Sequence, residues 1–186
     1  MFYKDDSEAE RQLEVLVELR QTASGDIADA IEQEIRLVEA GIAGERQVRF
    51  ELANSHIPMY VLHDLYYEYA GLVSQIDYLI ITRKHVFVIE CKNLYGNIEI
   101  TSNGDFVRTL SYGRRAKREG IYSPITQNRR HLDLIKQIRG AERNALLRIA
   151  FEKSFQYNNR TVVVMEALFE CDPEQSIPFC TAYLLN

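Results

Sequence analysis

Gln75-Ile76-Asp77-Tyr78-Leu79-Ile80-Ile81-Thr82-Arg83-Lys84-His85-Val86-Phe87-Val88-Ile89-Glu90-Cys91-Lys92 is the stretch whose reading decides the fold. Two short runs rich in β-branched and aromatic residues, Gln75 to Thr82 and His85 to Lys92, flank Arg83-Lys84, so the stretch predicts a hairpin with a very tight turn. With Thr82 paired to His85, Asp77 falls opposite Glu90; a four-residue loop with Ile81 opposite Val86 keeps that register. Directly opposed residues share a face with Cβ atoms about 5 Å apart. Lys92 joins that face because strand side chains alternate with period two. The same face carries Leu79, Ile81, Val86 and Val88, and the other carries Ile76, Tyr78, Ile80, Phe87, Ile89 and Cys91. Strands apolar on both faces are central ones.

Two carboxylates so placed repel each other in a low-dielectric setting, and buried charges are paired or bound to metal. A divalent cation resolves the conflict. Hard oxygen ligands suit magnesium or manganese, which keep several waters for a nucleophile and a phosphate oxygen. Lys92 would orient or polarise that water and stabilise charge developing on phosphorus. The plain alternative is a strand-end salt bridge between Lys92 and the two acids.

The elements around the hairpin extend the reading. A chain of 186 residues fits one domain with a small appendage. Residues 44 to 54 predict a helix with Glu45, Val48 and Leu52 on one face, so Glu45 points toward the core. Strands follow near Tyr60 to Tyr66, Gln75 to Thr82 and His85 to Lys92, then an Asn103-Gly104 hairpin, a helix from about Ser123, and a strand at Thr161 to Phe169. The order is α-β-β-β-α-β.

With those residues in those places, the chain resembles the PD-(D/E)XK nuclease superfamily, and within it the nuclease-related domain (NERD) family. The resemblance covers roughly residues 41 to 168. It rests on Gly44-Glu45 opening the helix, Gln75-Ile76-Asp77, Val88-Ile89-Glu90-Cys91-Lys92-Asn93 with Gly96 after it, and a downstream Pro124, Gln127-Asn128 and His131 that look like the family's N-P-x-x-Q-x-x-x-H helix. It implies an α/β, restriction-endonuclease-like mixed β-sheet core flanked by helices. Asp77, Glu90 and Lys92 become the catalytic core, and Glu45 a further acid near the metal. On this reading Asp77, Glu90 and the Cys91 backbone carbonyl hold Mg2+ or Mn2+, while Glu45 binds a second metal or a water. Ser123 stands where the family often has Asn, and Cys91 where Thr or Val is commoner.

Read from its own residues, the helix after Ser123 supports the same site. Ser123 is a good N-cap and Pro124 a good first helical residue. Leu132, Ile135 and Ile138 form an apolar stripe, and Gln127 lies one turn before His131. Gln127 would reach a metal-bound water or a phosphate, unless it is an exposed capping-turn residue. His131 reads first as a packed or solvated histidine, and His56, His63 and His85 as structural.

Charge is unevenly distributed. The net charge is −5, yet residues 108 to 148 contain eleven Lys or Arg against three acids, whereas residues 1 to 54 contain thirteen acids against six bases. Arg114, Arg115, Lys117 and Arg118, followed by Arg129 and Arg130, with Tyr112 and Tyr122 interleaved, are what a groove holding a nucleic-acid backbone needs. A solvated charged face is the alternative. Tyr112 to Gly120 shows no clear periodicity and is expected to be a mobile flap.

Residues 1 to 43 read as an acidic helical extension ahead of a nuclease-like domain at 44 to 186. One amphipathic helix carries Leu13, Leu16 and Val17, breaks at Ser24-Gly25, and a second begins at Asp26 with Ile27, Ile31, Ile35 and Val38 at helical spacing. Packing on the core is the first expectation for this pair, with homodimerisation or cover of the basic groove as alternatives.

No run approaches the roughly 20 apolar residues of a membrane span, and no secretory leader is recognisable. A cytoplasmic protein with no membrane partner is expected. Cys91, Cys171 and Cys180 are odd in number and lack C-x-x-C spacing, which sets aside a disulfide framework and a zinc knuckle. No phosphate loop, H-E-x-x-H, nucleophile elbow or repeat is present. The apolar segment before Leu184-Leu185-Asn186 is a last strand or a truncation. The function expected is metal-dependent hydrolysis of nucleic-acid phosphodiesters, most simply by a DNA endonuclease. A catalytically silent nucleic-acid-binding or complex-forming module on the same fold is the alternative.

Overall fold

The computed structural model describes residues 1–95, 97–112, 115–141, 143–168 and 179–185. Gly96 and Arg114, both named above, lie outside them. The elements run β1 (Phe2–Lys4), α1 (Glu8–Thr22), α2 (Gly25–Asn54), β2 (Met59–Tyr69), β3 (Leu72–Thr82), β4 (Val86–Tyr95), β5 (Asn97–Ile100), β6 (Phe106–Tyr112), β7 (Arg115–Ile121), α3 (Pro124–Ala141), α4 (Ala145–Asn158), β8 (Asn159–Leu168) and β9 (Phe179–Leu185). Six strands make a mixed sheet in the order β1-β2-β3-β4-β8-β9, and β5-β6-β7 form a second sheet. The expected hairpin is present: Ile81 pairs with Val86 and Tyr78 with Ile89. The Thr82 N–H donates to the His85 carbonyl at 2.8 Å. The Thr82 hydroxyl also donates to that carbonyl at 2.9 Å and accepts from the His85 N–H at 2.9 Å, which pins the tight turn.

Both faces of the central strands are covered, as their two-sided apolar pattern requires. Toward α2 lie Val48, Val61, Tyr78, Ile80 and Ile89. Toward α3 and α4 lie Ile76, Leu79, Val88, Ile135 and Phe155. Tyr78, Ile76 and Val88 have no exposed surface, and full burial of such a side chain stabilises by about 1.5–3 kcal/mol.

Ile76 departs from the expected pattern. It packs on the same side as Leu79, three residues away, rather than beside Tyr78. In β2, Leu62 and Leu65 likewise share that side. The alternation therefore slips by one residue on both strands, at Asp77 and at its neighbour Asp64. Asp64 sits in the left-handed region with φ 51°, and it is held there by tertiary bonds. Its carboxylate accepts from the Glu8 N–H at the start of α1, and from Gln75 Nε2, each at 2.6 Å, while its carbonyl accepts from Lys4 Nζ at 2.8 Å. Irregularities of this kind recur beside functional sites because they re-aim a side chain. Here the side chain is Asp77, and the β3–β4 ladder ends at Tyr78 and Ile89, one residue short of it.

Three further differences from the sequence reading have physical reasons. The helix expected over 44 to 54 is the end of one 30-residue helix that begins at Gly25 and passes through the expected boundary at 43/44. Gly44 does not interrupt it. A Cβ there would lie 3.1 Å from the Asn93 Cβ, so this glycine permits close approach of α2 to β4. Asn93 Nδ2 donates to the Ala40 carbonyl at 2.7 Å across the same contact. The segment expected to be a flap forms β7, antiparallel to β6. Its cations Lys117 and Arg118 each pair with an acid, described below. Finally, α4 fills a stretch for which the sequence suggested no element. The C-terminal apolar segment is a strand, β9, antiparallel to β8, which agrees with the first of its two sequence readings.

Candidate functional site

Glu90 is the most buried charged side chain among the described residues, with 1% of its surface exposed. It sits on β4 where the apolar run ends, and β4 is flanked on both sides, by β3 and by β8. Lys92, two residues on and on the same face, brings Nζ to 2.7 Å from Glu90 Oε1. His131 of α3 brings Nε2 to 3.2 Å from Oε2. Neither contact lies along a hydrogen-bonding direction, so both carboxylate oxygens keep buried acceptor capacity. His131 is itself held by a short hydrogen bond between Nδ1 and the Ser74 hydroxyl of β3. Ser74, His131 and Glu90 thus form a chain from β3 through α3 to β4.

Asp77, at the slip, accepts from the Cys91 N–H at 2.6 Å through Oδ2. Burial first, then the charge of Glu90, holds its carboxyl well above the usual range, with Glu45 adding to the repulsion and Lys92 opposing it. Three acids therefore sense one another. Glu45, however, approaches from the α2 side and is engaged there: its Oε2 lies 2.7 Å from His63 Nε2. Its backbone carbonyl accepts from the Tyr78 hydroxyl at 2.9 Å, and His63 stacks on Tyr78 with ring centroids 4.6 Å apart. Among the described residues no three His, Cys, Asp or Glu side chains are already arranged to hold a metal ion.

Lys92 is shaped by opposing forces. Desolvation, the largest influence, pulls its pKa down, but the attraction of Glu90 and then of Asp77 outweighs it and the net shift is upward. The ammonium stays protonated near neutrality, so Lys92 can donate and polarise but cannot serve as a base. The Cys91 thiol is pushed well up by burial and by the charge of Asp77. It is chemically quiet.

Gln127 lines a recess of about 520 Å³ together with Ser74, His131, Tyr122 and Arg130. The recess is thus continuous with the His131 end of the site. Arg130 lies over the Tyr122 ring, 5.4 Å from its centroid, and Arg129 is exposed one residue away. Two other expected phosphate contacts are differently placed. Arg118 pairs with Glu99 at 2.7 Å, and Lys117 pairs with Glu119 at 2.7 Å, while Arg108 also bonds Glu119. The backbone of Arg115 lies in β7 opposite Tyr112.

Sequence reasoning did not single out Ser74 or Asp64, and it gave His63 and His131 structural roles. Ser74 carries no signal in the sequence, since its partner is 57 residues away. His131 carried a signal in its spacing, four residues after Gln127.

Comparison with known families gives one match: the nuclease-related domain model covers residues 40–165. Neither the curated proteins nor the solved structures give a match. No described helix is long and apolar enough to cross a membrane. The chain belongs to the nuclease-related domain family.

Proposed function

With nuclease-related domain membership as the premise, we propose that the chain is a metal-dependent nuclease that hydrolyses phosphodiester bonds in DNA as an endonuclease. One observation carries this reading. A fully buried carboxylate, Glu90, keeps both oxygens without a directed donor while a lysine and a second carboxylate stand beside it. Buried acceptors left in this way are rare and call for an explanation, and a hard divalent cation is the partner that two carboxylates fit. Asp77 and Glu90 would hold Mg2+ or Mn2+, with the Cys91 carbonyl as a third donor and Glu45, whose charge Asp77 senses, as a further acid that would have to leave His63 to bind a second metal or a water.

The cation, when bound, supplies Lewis-acid stabilisation of charge on the phosphate and lowers the pKa of a water. The chain's own residues do the rest. Lys92, kept protonated by Glu90, donates to the attacking water or to the developing phosphate charge. The Ser74–His131 pair fixes Glu90 from behind. Gln127 and Arg130, which line the recess next to His131, would hold the phosphate that flanks the scissile bond.

The competing reading, a nucleic-acid-binding or complex-forming module that does not cut, is favoured by one observation: Glu45 is turned to His63 rather than toward Asp77 and Glu90. Incubating the purified protein with supercoiled plasmid and with linear DNA, in magnesium, manganese or EDTA, separates the two. Nicking or linearisation that depends on the metal supports the nuclease. DNA binding with no cleavage under any of these conditions sinks it and leaves the silent module.

A further inference from the structure

We propose a second ligand site, distinct from the acidic end of β4: a pocket at the opposite end of the same strand that binds a nucleotide through its phosphates. The site lies where the β3–β4 turn meets the end of α3 and the face of α4, and it encloses a cavity of about 680 Å³. That is within the range of about 300–1,000 Å³ typical of small-molecule sites. Val86 lines it, and Glu90 lies four residues further along the strand, roughly 13 Å at the usual rise.

Its chemistry is one-sided. Arg83, Lys84, Arg139 and Arg143 all line the cavity, and among the described residues no acid does. None of the four forms an ion pair with a described residue, whereas Lys117 and Arg118 of β7 are matched to acids. Arg143 is fixed in place. Its guanidinium donates to the Arg139 carbonyl and sits 4.2 Å from the centroid of the Phe151 ring. The turn that presents Arg83 and Lys84 is likewise held rigid by the Thr82 hydroxyl. His85, also in the lining, carries a buried Nδ1 with no hydrogen-bond partner.

Behind the cations the wall is apolar. Ile81, Ile135, Phe151 and Phe155 form it. Clustered cations without counter-charge repel one another, and an anionic ligand relieves that repulsion through charge-assisted hydrogen bonds. Phosphates satisfy the rim, and a planar base is the group that suits the aromatic and aliphatic wall. A ligand carrying both is a nucleotide. This site needs neither Asp77, Glu90 nor Lys92, so its existence does not depend on the nuclease reading.

The test is calorimetric titration of the full chain in EDTA with ATP, AMP, inorganic phosphate and a short single-stranded oligonucleotide. Saturable binding of ATP is expected, tighter than that of inorganic phosphate. The Arg83→Gln/Lys84→Gln double variant and, separately, Arg139→Gln should each weaken it by about tenfold or more, the worth of one charge-assisted hydrogen bond. All three positions are exposed, and unchanged thermal midpoints would show that the variants are folded. Glu90→Gln should bind ATP as the wild type does. The proposal is overturned if ATP shows no saturable binding at millimolar concentration, or if the arginine and lysine variants bind it unchanged. It is also overturned if Glu90→Gln abolishes binding, if inorganic phosphate binds as tightly as ATP, or if the oligonucleotide alone binds.

Discussion

The acidic end of β4 and the β5–β7 sheet both concentrate charge, and they treat it in opposite ways. Glu90 is withdrawn from water beside a Lys92 that is itself two-thirds covered. Arg118 and Glu99 of the small sheet expose 60% and 59% of their side chains. A pair in water is screened and contributes about 0–1 kcal/mol. A carboxylate taken out of water without its full set of donors is a liability that the fold maintains for a reason. Where a charge sits therefore says more than how many there are. The eleven cations of residues 108 to 148 are partly spent on their own neighbours, while one glutamate points to the chemistry.

The largest effect expected along this contrast is at Glu90 and Lys92. Glu90→Gln and Lys92→Ala should each lower metal-dependent cleavage by on the order of a hundredfold or more, measured on plasmid with folded protein verified by circular dichroism. Retention of more than about a tenth of wild-type activity, well short of such a loss, would remove the residue from the site.

Asp77→Asn should lose manganese binding in calorimetry and, in EDTA, melt at a higher temperature than the wild type. The sign follows from its raised pKa. Stability contributed by this group is full below the ordinary value of 3.8 and is lost as pH rises through the higher folded value. The advantage of Asn over Asp should therefore grow with pH across that window. A variant that melts lower at every pH would show that Asp77 is held by favourable bonds and not opposed by Glu90.

A smaller effect is expected at His131, which acts through Glu90. His131→Ala, which removes the 3.2 Å contact to Glu90, should reduce turnover by about tenfold, roughly 1.4 kcal/mol, with DNA affinity little changed. An affinity loss as large as the rate loss would make it a substrate contact instead. Smallest is the effect at the paired cations. Replacing Lys117 and Arg118 together with Gln should flatten the salt dependence of DNA binding by no more than about one unit of slope. A drop near two units would show that both leave their acids for phosphates.

The register of the central hairpin was legible because alternation, a two-residue turn and opposed acids all constrain it. The Glu90–Lys92 contact follows from spacing alone. The slip at Asp64 and Asp77 was not legible, because it depends on Asp64 capping a helix more than fifty residues upstream. Gly44 misled for a related reason: a glycine that opens a helix and one inside a helix that admits a neighbouring strand look alike until Asn93 is in place. β7 was obscured by its cations, whose partners are Glu99 of β5 for Arg118 and Glu119, two residues along the same strand, for Lys117. The Ser74–His131 contact joins positions with no shared periodicity.

Asn128 has no exposed surface, and its amide donates both to the Val88 carbonyl of β4, at 3.0 Å, and to the Val162 carbonyl of β8, at 2.7 Å. One side chain thus staples α3 across two parallel strands. Because Gln127 and His131 ride on that helix, the site cannot breathe by local fraying of α3 without also releasing the centre of the sheet. Amide hydrogens in the first turns of α3 should then exchange with solvent as slowly as those of β4, through the same rare opening. Asn128→Ala should uncouple the two, letting the helix exchange early while the strand stays protected.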